Sequence, residues 1–307
     1  MNILIIGSSG FLGRSLINSL DDQYKITCFD KIKPIKYFKS KKNIKSFFIA
    51  DAGSKKKLNQ ALKNIDVIFY RAGITGGPKS INLKYFDEYM KINFENLIKI
   101  LDLVKKSKVK KFIFDSTEQI YGEFDKENSD EFSEPNPYNF YGLSKLMAEK
   151  YLLEWQKKNN ISVDIFRYSR VMAYNTPGVI EEMVKSTLFK NKIEIYGDPL
   201  HKISFVHIND VVSANIETLK TYKKCLSIYN VVGTKPISLK ELSEMIPTLI
   251  KGNKKIKIVH KKYQNFFEPS IVGMNSKKTK KILKWKPKFS IKDIINEKIN
   301  HIIKQNA

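Results

Sequence analysis

The chain has 307 residues, 42% of them apolar, enough to bury one large core or two coupled ones. It carries 55 basic against 31 acidic side chains, a formal charge of +24, but arginine stands only at positions 14, 71, 167 and 170 and the lysines are spread along the whole length. A solvated basic surface is therefore expected, one that would favour an anionic substrate and that gives no face for nucleic acid.

Two cysteines, Cys28 and Cys225, exclude a disulfide framework, and both are expected as buried free thiols. The N-terminal apolar run at residues 3–6 is too short for an export signal. No stretch approaches the roughly 18 apolar residues of a membrane span. The expectation is a soluble, cytoplasmic protein with no membrane partner.

Residues 2–6 form a short apolar run of the kind found in buried parallel strands, and a Gly-rich turn and an amphipathic segment at 11–20 follow. A second strand is expected at 25–29, ending at Asp30, then a basic loop at 31–45. Strands at 46–50 and 66–70 flank a helical stretch near 55–63. Apolar spacing predicts one long helix over 82–106, a fifth strand at 111–115, an acidic, Pro-containing loop at 123–137, a second long helix at 141–157 and a sixth strand at 163–166. Such alternation predicts an α/β fold, a Rossmann-type doubly wound parallel sheet. Beyond Arg167 the pattern is less regular, with helices at 178–190 and 239–250 and short strands at 192–196, 228–232 and 255–259. A smaller C-terminal substrate-binding lobe is expected. Residues 1–166 with roughly 205–235 would form the dinucleotide domain, and roughly 167–204 with 236–307 the lobe.

Gly7-Ser8-Ser9-Gly10-Phe11-Leu12-Gly13 lies between the first strand and the first helix. There the first glycine permits the tight turn, the second lets main-chain N–H groups reach a pyrophosphate, and the third allows close helix–sheet packing. The helix N-terminus adds a partial positive charge. Asp30 closes the next strand near the offset of about 20 residues at which an acid meets the adenosine ribose. A carboxylate there repels a 2′-phosphate, so NAD is favoured over NADP, and the adjacent Lys31 tempers that preference.

Tyr141 and Lys145 are spaced i, i+4 at the start of a predicted helix and share a face. An ammonium beside a phenol favours the phenolate, which would make Tyr141 a base near neutral pH. Tyr37 and Lys41 repeat the spacing inside the basic loop and are read as a chance match. Thr117 follows the fifth strand, where open parallel sheets bind ligands, and its hydroxyl could bond the substrate hydroxyl that Tyr141 deprotonates.

Taken together, these features resemble the extended short-chain dehydrogenase/reductase family, in its nucleotide-sugar epimerase/dehydratase branch. The resemblance rests on the glycine turn, Asp30, Asp51, Ala72-Gly73, Asn93, Ser116-Thr117 with Tyr121-Gly122, Tyr141 and Lys145, Arg167-Tyr168, Tyr196-Gly197-Asp198, Phe205 to Asp210, and Leu283 to Pro287. It implies that Asp51 and Ala52 lie at the adenine, that Ala72, Gly73 and Ser116 line the dinucleotide, that Lys145 also binds the nicotinamide ribose, and that Tyr168 lies along the nicotinamide. Asn93 would brace sheet and helix within that site. A homodimer through the two long helices and a place in carbohydrate metabolism, such as cell-surface polysaccharide biosynthesis, follow from the same resemblance. No metal is expected.

The family's dehydratases carry an acidic pair after the threonine. Here the pair is Glu118-Gln119, and a glutamine cannot abstract a carbon-bound proton. Epimerisation by transient oxidation at C4 needs only Tyr141, Thr117 and retained NAD, with Glu118 as an auxiliary acid or a solvated carboxylate. Net C4 oxidation or reduction uses the same residues and stays open, as does, with less support, 4,6-dehydration. An NAD-binding sensor would not need Tyr141 and Lys145. On the substrate side the family's asparagine is replaced by Arg170, which could clamp a pyrophosphate or stand as a surface charge. Lys202 stands where an arginine is common, and His207, at the head of a helix, is read more as structural than as an acid/base.

Overall fold

The computed structural model describes residues 1–33, 41–122, 129–250, 256–262 and 271–306. Residues 34–40 of the 31–45 loop with Tyr37, the first residues of the 123–137 loop and Lys255 lie outside them. In chain order, β1 (Asn2–Ile6), α1 (Phe11–Ser19), β2 (Lys25–Asp30), β3 (Ile44–Ile49), α2 (Lys55–Ala61) and β4 (Val67–Tyr70) make the first half of a Rossmann sheet. The segments α3 (Phe86–Met90) and α4 (Asn96–Val104), β5 (Lys111–Thr117), α5 (Phe140–Lys157) and β6 (Ser162–Tyr168) continue it. Then come β7 (Arg170–Met172), α6 (Val179–Lys190), β8 (Lys192–Tyr196), β9 (Lys202–Ile203), β10 (Phe205–His207), α7 (Ile208–Thr218) and β11 (Leu226–Val231). The chain closes with β12 (Ile237–Ser238), α8 (Leu239–Leu249), β13 (Lys257–Lys261), β14 (Ile271–Val272), α9 (Lys277–Leu283) and α10 (Ile291–Asn306).

Seven strands form one sheet in the order β11-β6-β5-β4-β1-β2-β3, with every pairing parallel. The order reverses between β1 and β4, so the C-terminal ends of those strands open a crevice. The central strands are buried on both faces, which is why β1, β4 and residues 112–114 of β5 read as apolar runs. One face packs Leu16 and Ile17 of α1 with Val211 and Ala214 of α7. The other packs Leu58 of α2, Leu97 and Leu101 of α4, and Ala148 and Leu152 of α5. A third core joins Ile180 and Val184 of α6, Leu242 and Ile246 of α8, and Ile295 and Ile302 of α10. Each fully buried aliphatic side chain contributes about 1.5–3 kcal/mol. On these separate cores we propose the division into a dinucleotide domain and a C-terminal lobe. Lys298 of α10, fully buried, joins that lobe to the crevice by donating to the Thr176 carbonyl at 2.5 Å and to Glu181 at 3.2 Å.

Three expectations are corrected. The helix foreseen over 82–106 starts as a 3-10 turn, Leu83–Tyr85, preceded by another at Pro78–Ile81, and its helical part is interrupted by a π-helical turn at Lys91–Glu95. The wider turn directs Asn93 into the interior, where its side chain brackets Ile74, accepting from the amide at 2.8 Å and donating to the carbonyl at 3.1 Å. Cys28 is buried as expected, but Cys225 is exposed, because it precedes β11, an edge strand, in a lysine-bearing turn. Third, α9 and α10 add helices at the C-terminus that the reading of the sequence did not assign.

The third glycine of the turn is demanded by contact. A Cβ on Gly13 would stand 2.2 Å from the Gly7 carbonyl oxygen and 2.8 Å from the Ser8 Cα, both main-chain atoms. Gly13→Ala is therefore expected to pry α1 from the β1 turn and lower stability by about 1–3 kcal/mol. Chemical denaturation of the variant would show it as a lower midpoint, and an unchanged midpoint would refute the contact argument.

Candidate active site

Two adjoining crevices run over the C-terminal ends of the strands. The first, of about 290 Å³, lies between the glycine turn and the ends of β2 and β3. Gly7, Ser9 and Gly10 form one wall, Asp30 and Lys31 the next, and Asp51, Ala52, Ala72 and Gly73 the remainder. The Asp30 carboxylate accepts from the main-chain amides of Ser9 at 2.8 Å and Ile32 at 3.2 Å, which fixes it at the rim. Each carboxylate oxygen keeps a lone pair for a ribose hydroxyl.

The second crevice, of about 380 Å³, shares Gly7, Gly10 and Gly73 with the first and adds Phe11, Leu12 and Gly13 from the head of α1. Its chemical wall is Ser116, Thr117 and Glu118 from β5 and the turn after it, with Tyr141 and Lys145 from α5. Tyr168 and Arg170, from β6 and β7, close the far side. Helix α5 starts where it does because the Asn139 side chain caps it, accepting from the Gly142 amide at 2.7 Å. That places Tyr141 in the first turn.

Charge in this crevice is governed by burial. Burial lifts the Tyr141 phenol well above its ordinary value; a hydrogen bond with Thr117 opposes the lift, and Asp115, Tyr89 and Glu118 add to it. Burial likewise pulls the Lys145 ammonium down to about 8, against support from Asp115 and Glu149. The spacing suggested that Lys145 holds the phenol ionised; in the protein alone, burial of both groups works against that. Its Nζ reaches back to β5, donating to the Asp115 carbonyl at 2.8 Å and lying 4.7 Å from the centre of the Phe114 ring. Gly73 permits that reach, since a Cβ there would come within 2.9 Å of Asn93 Oδ1 and 3.4 Å of Lys145 Nζ.

Other expected residues fall elsewhere. Ser116 borders the crevice but gives its hydroxyl to Glu149 at 2.5 Å, within a buried brace in which Arg167 Nη2 also meets Glu149 at 2.7 Å. Arg167 Nη1 donates to the Tyr121 hydroxyl at 2.7 Å, and that phenol is pushed up to about 12 by burial. Asn93 lines neither crevice and braces the Ile74 loop against Ser144. Lys202 lies on β9 in the small lobe sheet near Glu241, away from both crevices. His207 caps α7, meets Glu297 at 3.0 Å and stacks on Phe289 at 3.8 Å between ring centres. It faces a larger cleft of about 560 Å³ between α1 and α10, which holds neither the glycine cradle nor the Tyr–Lys pair.

The sequence reading missed Arg71, Asp115 and Ser169 as site residues, and took Gln119 only as a lost carboxylate. Arg71 borders both crevices and pairs with Asp115, and its buried Nε has no acceptor among the described residues. The buried Ser169 hydroxyl, beside the second crevice, also has no partner among them. Gln119 accepts from Asn139 at 2.9 Å. Only the polar residues interrupting the apolar ends of β4 and β5 could have signalled the first two. An unmet buried donor costs about 1–3 kcal/mol, so these groups fit a polar, oxygen-rich ligand lying across both crevices. Together with the glycine turn and the Asp30 carboxylate, they fit a dinucleotide.

A Rossmann sheet whose glycine turn joins two adjoining crevices, one holding the Asp30 carboxylate and the other the Tyr–Lys pair, defines a short-chain dehydrogenase/reductase. A model of the NAD dependent epimerase/dehydratase family matches residues 3–232, and the chain belongs to that family. Among curated relatives it is 27% identical to a putative UDP-glucose 4-epimerase of Methanocaldococcus jannaschii, over 99% of both chains. It is 26% identical to an uncharacterized UDP-glucose epimerase of Bacillus subtilis, over 98% of both. The UDP-glucuronic acid 4-epimerase of Bacillus cereus, solved with UDP-glucuronic acid and NAD, shares the fold at a TM-score of 0.88, with 24% identity over 99% of this chain and 100% of that one.

The buried ammonium is a cost to the fold. A lowering from 10.5 to about 8 corresponds to about 3 kcal/mol at neutral pH, at the upper end of the about 1.5–3 kcal/mol that a charged donor's hydrogen bond, here to Asp115, contributes. The sign follows from proton counting: between those two values the unfolded chain holds the extra proton, so the Lys145 contribution to stability rises with pH across that window. Lys145→Met is expected to raise the melting midpoint while depressing activity. A variant that melted lower would contradict this balance.

Proposed function

We propose that the protein is an NAD-dependent nucleotide-sugar epimerase that inverts a sugar carbon, C4, through transient oxidation. The observation that carries the reading is the meeting of Thr117, Tyr141 and Lys145 in one crevice continuous with the glycine turn. Curated relatives named as UDP-sugar 4-epimerases support it over nearly the whole chain.

Tyr141 takes the proton from the sugar hydroxyl as the carbon is oxidised and returns it at the end. Thr117, hydrogen-bonded to the Tyr141 phenol, holds that hydroxyl in line. Lys145, anchored by the Asp115 carbonyl, keeps two further donors for the nicotinamide ribose. NAD, when bound, supplies the hydride acceptor and, in its oxidised form, a positive ring charge beside the phenol. Gly7, Gly10 and Gly13 would hold its pyrophosphate, Asp30 its adenosine ribose, Asp51 and Ala52 its adenine, and Tyr168 would border its nicotinamide. Arg170, which lines the same crevice, would clamp the substrate pyrophosphate. Gln119, engaged with Asn139, offers no carboxylate for elimination of water, which weighs against dehydration.

Among the described residues no helix is long and apolar enough to cross a membrane, and a cytoplasmic place in cell-surface polysaccharide biosynthesis suits the reaction. Met147 and Leu153 stand exposed on α5 and suit a homodimer through that helix and its neighbours.

Tyr141→Phe is expected to lower epimerase turnover by about 10²–10⁴-fold while NAD stays bound. The assay follows interconversion of UDP-, GDP-, CDP- and dTDP-sugars by NMR, with no NAD added and none consumed. Full activity in the variant would refute the base, and stoichiometric cofactor consumption would move the reaction to net oxidation or reduction. Light scattering should give the mass of two chains, and a monomer would count against the dimer.

A further inference from the structure

Beneath the catalytic pair lies a buried ion pair that the reaction as drawn does not use. Arg71 Nη1 meets Asp115 Oδ2 at 3.0 Å, with side chains 1% and 9% exposed. The other Asp115 oxygen accepts from the Tyr168 hydroxyl at 2.8 Å. Asn215 of α7 completes the ring, accepting from Arg71 Nη2 and donating to the Tyr168 hydroxyl at 3.0 Å. Three neighbouring strands, β4, β5 and β6, thus converge on one carboxylate. The main chain of the same Asp115 holds Lys145, and Arg71 and Asp115 both border the catalytic crevice.

The charges facing Tyr141 and Lys145 can be counted by element. β5 and its following turn bring Asp115 and Glu118; α3 brings Tyr89; α5 brings Glu149, which Arg167 of β6 neutralises; β6 also brings Tyr168; β7 brings Arg170; β4 brings Arg71. Asp115 acts on both members of the catalytic pair, opposing a phenolate and supporting an ammonium. Arg71 is the cation in contact with it.

We propose that Arg71 and Asp115 are positioning residues that present a charge-balanced floor to Tyr141 and Lys145, so that loss of either charge moves the pH at which Tyr141 acts as a base. Arg71 without Asp115 leaves a buried cation that favours the phenolate. Asp115 without Arg71 leaves a buried anion that disfavours it. A pair serving only to hold the strands together would weaken the fold in both variants and shift the pH dependence in neither. The inference rests on the assignment of Tyr141 as the base.

The test is the acid limb of the pH profile of kcat/KM in the holoprotein. Asp115→Asn, which keeps the side-chain shape, is expected to move the limb down by about one pH unit, and Arg71→Met to move it up by a similar amount. The double variant should return it near the parental position, and Arg71→Lys should leave it in place. Shifts of the same sign in the two single variants, or no shift in Asp115→Asn, would overturn the proposal. If Arg71→Met fails to fold, Asp115→Asn and Arg71→Lys still decide. Ultraviolet difference titration of each protein against its Tyr141→Phe counterpart reads the phenol without any substrate. A chain that epimerised no sugar would therefore defeat the proposed reaction and leave this inference to be decided by the titration.

Discussion

One hydrogen bond organises the site: the Lys145 ammonium to the Asp115 main-chain carbonyl, 2.8 Å long. It ties α5, which carries the phenol, to β5, which carries the threonine. The anchor is a strand carbonyl, so the position of Lys145 is set by the sheet and not by any loop. Residues around it are cut to let it form. Gly73 leaves room for the ammonium, Asn93 holds the loop that covers it, and the Phe114 ring lies against it. Sites built on regular elements hold their geometry more closely than sites on loops, and here both reacting-side groups stand at the ends of a strand and a helix.

The same burial that makes the geometry firm makes charge expensive. In the protein alone both members of the pair lean toward their neutral forms, the phenol lifted and the ammonium pulled down to about 8. A dry crevice amplifies any ion that enters it. With Tyr141 as the proposed base, its protonation would respond to the ligands the crevice takes up, and the buried carboxylates with their arginine partners would set the level from which that response begins.

What the sequence revealed follows from how local each signal is. The turn from Gly7 to Gly13, the acid at Asp30 and the spacing of Tyr141 and Lys145 are written over a few residues each, and all of them line the paired crevices. Arg71 and Asp115 are 44 residues apart and meet only because β4 and β5 are neighbours, which no pattern along the chain announces. The resemblance put Ser116 at the dinucleotide, and it does border the crevice, with its hydroxyl given to Glu149, 33 residues away. Helix α10 carries its apolar stripe at Ile294, Ile295, Ile299 and Ile302, but the stripe is interleaved with Asn and Lys, and one of those lysines, Lys298, is buried with it. Burial of that ammonium depends on Thr176 and Glu181, which are distant in sequence.

The π-helical turn around Asn93 has a consequence for how this chain can change. A helix that takes in one extra residue rotates everything after it by about 100° relative to an uninterrupted one. Leu97, Ile100, Leu101 and Val104 face the sheet only with that residue present. Losing it would swing the whole stripe toward solvent as well as withdraw the asparagine. The length of this segment is thus fixed twice over, by the hydrophobic interior at one end and by the loop above the crevice at the other. This segment can therefore change the kind of residue at most of its positions more readily than it can change their number.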